Sequence, residues 1–85
     1  MTPTDKLKLT NMIDLSVGHA CEKLDITDPE LKMQHYERVC IAVLDSSIPE
    51  EEVDDATLVL QKFLQKKADK LGVKRDYYNE QEEQQ

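Results

Sequence analysis

Apolar residues return at steps of three and four along most of this chain, the spacing that gathers them on one side of an α-helix. Leu9, Met12, Ile13, Ser16, Val17, Ala20 and Leu24 form the first stripe and predict a helix over about residues 4–24. Thr4 or Asp5 is placed to cap it by accepting a backbone N–H. Ser16, Gly18, Ala20 and Cys21 make its second half unusually small, which predicts close approach of a neighbouring helix or a local bend.

Met33, Tyr36, Val39, Cys40, Val43 and Leu44 form the second stripe, over residues 29–45. The preceding Thr27-Asp28-Pro29-Glu30 reads as a capping box with Thr27 as the cap and Pro29 in the first turn. From Val39 to Leu44 the segment is apolar on every side, so it is expected to be the central helix, buried on more than one face. Val53, Ala56, Leu60, Leu64 and Leu71, with Phe63 on the flank, predict the third helix over residues 49–71. Ser47-Ile48-Pro49-Glu50 repeats the hydroxyl–proline–glutamate start, and Gly72 is placed to end the helix.

Short connections at Asp25–Asp28 and Asp45–Ser47 make successive helices antiparallel neighbours. The expected fold is all-α: a small antiparallel three-helix bundle over residues 1–73, with a short acidic tail over 74–85. No apolar stripe is left to order that tail, and it is expected to be disordered. A core drawn from 85 residues is modest, and homodimerisation or a higher homo-oligomer would support it.

Charge changes the picture because it is unevenly placed. The net charge is −7, yet residues 62–75 hold six bases and one acid. An acidic chain with one short basic stretch lacks the broad cationic surface that phosphate backbones require, so nucleic acid is not the expected partner. The longest apolar run, Val39 to Leu44, is far below the roughly 20 residues of a membrane span, so no membrane insertion is expected. The sequence opens with no cationic region leading into an apolar stretch, so the cytoplasm is the expected compartment. Cys21 and Cys40 are accordingly expected as reduced thiols.

Candidate chemistry subtracts further classes. A calcium loop begun at Asp45 fails at its fifth and sixth positions, Pro49 and Glu50. His19 with Cys21, and His35 with Cys40, have spacings that point the two side chains of each pair apart, which disfavours zinc. Cys40 lies in the apolar run, where burial makes a thiol inert. There is no phosphate-cradling glycine loop and no nucleophile elbow. The expectation is no catalytic residue, no metal and no cofactor.

Ser47-Ile48-Pro49-Glu50-Glu51-Glu52-Val53 resembles the segment opening the last helices of acyl carrier proteins. That family carries its prosthetic group on an Asp-Ser-Leu motif earlier in the chain. Here Asp28-Pro29-Glu30-Leu31 has no serine, and Asp45-Ser46-Ser47 is too close to Ile48, so carrier activity is not implied.

What remains is binding. Glu50, Glu51, Glu52, Asp54 and Asp55 crowd the start of the third helix, where they suit its dipole and would also steer a basic protein partner. Leu15, Leu31, Ile41, Leu58 and Val59 point away from the stripes and are candidate partner or self-association contacts. Lys66, Lys67, Lys70 and Arg75 are candidate anion contacts. The expected function is a small acidic interaction module that regulates, inhibits or adapts a larger protein. Size and charge suit a bacterial or phage accessory factor, such as an anti-defence or lysis-control protein. Two alternatives are a nucleic-acid mimic occupying a basic groove, and an oligomer that sequesters a small phosphate-containing ligand.

Overall fold

The computed structural model describes residues 1–77 and consists of helix α1 (Pro3–Lys23), helix α2 (Pro29–Ser46), a 3₁₀ turn (Glu50–Glu52) and helix α3 (Val53–Leu71). Together these form the expected three-helix bundle, with no strand among the described residues. Of the predicted tail over 74–85, the part from residue 78 onward lies outside the described residues. None of the described helices is long and apolar enough to cross a membrane.

Prolines decide where the helices start. Pro3 and Pro29 occupy the first turns of α1 and α2, where a missing N–H is harmless, and the residue just before each becomes the cap. Thr2, not Thr4 or Asp5, caps α1: the Asp5 N–H donates to Thr2 Oγ1 at 3.1 Å, and Asp5 accepts the Thr2 N–H in return. Asp28, not Thr27, caps α2 by accepting the Leu31 N–H at 3.2 Å. The residue before Pro49 is Ile48, which has no acceptor. The Ser47 N–H is meanwhile engaged in closing α2 on the Val43 carbonyl. Pro49 itself stands at the cap position and offers no side-chain acceptor, so the expected Ser47 cap does not form and Glu50–Glu52 make an uncapped 3₁₀ turn before α3.

Helix ends follow one device used twice. After α3, Gly72 takes the left-handed conformation (φ 75°) expected of it, and the Val73 N–H reaches back to the Ala68 carbonyl. After α1, Asp25 holds the same conformation (φ 59°), and the Ile26 N–H reaches back to Cys21. Glycine accepts that geometry without strain, whereas an aspartate is less favoured there.

The core takes four residues from each helix: Leu9, Ile13, Val17 and Cys21; Met33, Tyr36, Cys40 and Val43; Ala56, Leu60, Leu64 and Ala68. Val73 closes it from beyond α3. As expected, α2 is central, packing more extensively on α1 and on α3 than those two pack on each other. Its all-round burial is not seen, because Ile41 and Ala42 are exposed and only one line of α2 faces inward. Met12 and Leu24, placed on the first stripe, are exposed as well. The buried line of α1 advances strictly by four, so Met12 sits about 100° off Ile13. Leu24 is the terminal cap residue of that helix.

At Gly18 the close approach expected of the small-residue stretch is not seen. The helix runs unbroken through Gly18, and a Cβ placed there would meet no atom within 4 Å. No neighbouring helix approaches at this point.

Candidate functional site

Three side chains, one from each helix, meet at a partly buried junction beside the core. Tyr36 of α2 donates its hydroxyl to Asp14 of α1 at 2.7 Å, and Lys67 of α3 donates to the other Asp14 oxygen at 3.0 Å. The Tyr36 and Phe63 rings meet edge to face, and the Lys67 ammonium lies 5.6 Å from each ring centre. Burial pushes the Asp14 carboxyl up, but the hydrogen bonds from Tyr36 and Lys67, with the charges of Lys67 and Lys70, outweigh it and hold it below its ordinary value. Burial first, then the Asp14 carboxylate, push the Tyr36 phenol well above its ordinary range. One residue from each helix thus joins a single junction.

A second tie fastens the residues after α3, which composition alone grouped with the tail. Arg75 reaches Glu30 and Glu37 of α2, both at 3.0 Å. Tyr77 donates its hydroxyl to Glu37, and its N–H goes to Gln65 of α3 at 3.1 Å. Of the four candidate anion contacts, Lys67 and Arg75 are therefore engaged by carboxylates of the chain itself, while Lys66 and Lys70 stand exposed.

Cys21 and Cys40 are both buried and unbridged. Burial, aided by the Glu37 charge, pushes the Cys40 thiol up to about 12. Among the described residues no group of three or more His, Cys, Asp or Glu comes together as a metal site.

Asp14 and Tyr36 also border an open groove of about 640 Å³ between the second half of α1, the α1–α2 connection and the start of α2. Leu15, Gly18, Glu22, Asp25, Ile26 and Lys32 line it. Leu15 is 64% exposed, and Gly18 leaves the α1 backbone bare beside it. Two local choices that oppose the fold thus border one groove: a glycine inside a helix and an aspartate in the left-handed conformation. Each costs on the order of 1 kcal/mol. Packing does not demand the glycine, since open space surrounds its missing Cβ. Such departures from local preference concentrate at functional sites. Sequence reasoning named Leu15 and noticed Gly18, but Asp25 and Ile26 gave no signal because only the turn geometry singles them out.

The other candidates disperse over the surface. Leu31 and Ile41 are exposed on α2, and Leu58 on α3, whereas Val59 is half-buried. Leu7, Met12 and Leu24 join the exposed apolar set. Glu50, Glu51, Asp54 and Asp55 are exposed and Glu52 is partly covered, so the acidic pole faces solvent. Comparison with known protein families, curated proteins and solved structures finds no match for this chain.

Proposed function

We propose that this chain is a small interaction module, a regulator, inhibitor or adaptor, that binds a segment of a larger protein in the α1–α2 groove. The observation that supports this reading most is the pairing of exposed Leu15 with bare Gly18 on the α1–α2 groove. A missing Cβ lets another backbone come close, and a leucine beside it supplies the apolar contact that anchors an interface. Glu22 and Asp25 on the rim outnumber Lys32 there and favour a segment carrying apolar and basic side chains. In this reading the chain acts by binding: Tyr36 and Lys67 donate to Asp14, and both thiols are buried.

The test is affinity capture with tagged chain, followed by a measured dissociation constant for the captured protein. Leu15→Asp is expected to weaken it at least about tenfold, and Gly18→Leu, which fills the groove, similarly. Unchanged affinity in both variants would sink the reading. Thermal stabilisation by a nucleotide instead would favour the phosphate-sequestering alternative.

A further inference from the structure

Asp55, Leu58, Lys62 and Lys66 follow one another along α3 at steps of three and four, so they share one side of that helix. It is the side opposite the buried line of Ala56, Leu60 and Leu64, and all four residues are exposed, Leu58 at 49%. Next to them Val59 and Phe63 lead into a shallow groove of about 410 Å³, flanked by Lys6 of α1. Among the described residues, none of Lys6, Lys62 and Lys66 is in an ion pair. These cations gather on one face of a chain whose net charge is −7.

The order of residues along this face is the complement of its own reversal. The midpoint between Asp55 and Lys62 falls between Leu58 and Val59, and so does the midpoint between Glu51, in the 3₁₀ turn, and Lys66. A two-fold axis at that point lays α3 antiparallel on α3 of a second copy. Asp55 then stands across from Lys62 of the other copy, and Glu51 from Lys66, each twice over by symmetry. Leu58 of each copy meets the other's groove at Val59 and Phe63. A parallel pairing would instead set Asp55 against Asp55 and Lys62 against Lys62, which like charges disfavour. Asp55 also lies 3.4 Å from the Met1 ammonium, but its side chain remains well exposed.

We propose that a second copy of this chain occupies this face, making an antiparallel α3–α3 dimer about a two-fold axis at Leu58–Val59. The proposal rests on the reading of the chain as an interaction module, but it uses a different face from the α1–α2 groove. Exposed ion pairs contribute little singly, so four of them around one small apolar contact make a weak, salt-sensitive dimer.

Charge swapping tests it by sedimentation equilibrium of the full chain over a wide concentration range at low salt. The unaltered chain is expected to dimerise, less so as salt is added. Asp55→Lys and Lys62→Asp each turn two contacts repulsive and should each raise the dissociation constant at least about tenfold. Mixed in equal amounts, the two variants should associate with each other. The lysine introduced in one then faces the aspartate introduced in the other, and the retained Asp55 faces the retained Lys62. Both positions are exposed, so circular dichroism of each variant should match the parent. A monomer at every concentration, or a mixture that stays monomeric, overturns the proposal. If that monomer still captures its partner through Leu15, the proposed function stands and only the dimer falls. If the dimer forms and capture is indifferent to Leu15, the reverse holds.

Discussion

Lys62 and Lys67 belong to one helix, yet their circumstances differ completely. Lys67 faces the junction of all three helices, where Asp14 accepts from it at 3.0 Å and two aromatic rings lie beneath it. Lys62 faces outward beside Leu58, with no ion pair among the described residues. The contrast extends to the acids near each: Asp14 is tied to Tyr36 and Lys67, while Asp55 is largely exposed. The same residue types serve cohesion where helices converge and remain available for recognition where one helix meets solvent. A charge run in a sequence therefore mixes two populations that only packing separates.

Substitutions break this contrast at different depths. The largest effect is expected on the buried line of α3, where Leu60→Ala leaves a cavity and costs about 2–5 kcal/mol, read as a lower urea midpoint. Asp14→Ala comes next, because it removes the acceptor of both Tyr36 and Lys67, and about 1–3 kcal/mol should be lost. The Asp14 carboxyl is held below its ordinary value, so its contribution is fully present above about pH 4. It is lost as pH falls through the lowered value. Urea titrations across the acid range should show the parent weakening more than Asp14→Ala.

At the α1–α2 groove the sign reverses. Gly18→Ala should raise stability by about 0.5–1 kcal/mol, since the helix gains and the added methyl meets nothing. Asp25→Gly should also stabilise, by about 1 kcal/mol, through relief of the left-handed aspartate. Thermal melts of both variants check this, and a loss in either would mean the local conformation has another support. The smallest effect belongs to the outer face: Asp55→Lys should leave stability within about 0.5 kcal/mol of the parent. A larger loss would show that Asp55 serves the fold, erasing the distinction between the two faces of α3.

Three helices and the Gly72 terminus were legible because periodicity, proline and glycine act within a few residues of themselves. Caps were legible in kind and displaced in position. The operative rule is local but finer than a search for hydroxyls: the cap is the residue before the proline, which works for Thr2 and Asp28 and fails for Ile48. Met12 and Leu24 were misplaced because a broad apolar stripe does not say which of its edges a neighbour covers. Of the candidate site, Leu15 and Leu58 were visible as off-stripe residues. Asp25 was not, since its backbone conformation depends on how α1 ends.

By itself the sequence determined the class of fold, the number and approximate course of its helices and the bipolar charge along the third, all properties set by neighbours along the chain. Tertiary structure alone decided which charges are available. Asp14, Tyr36 and Lys67 are brought together from three helices, as are Arg75, Glu30 and Glu37 from two distant segments. No local pattern encodes those meetings, because they depend on how the helices pack. The same packing leaves Leu15 beside bare Gly18, and Asp55, Leu58 and Lys62 aligned on an uncovered face.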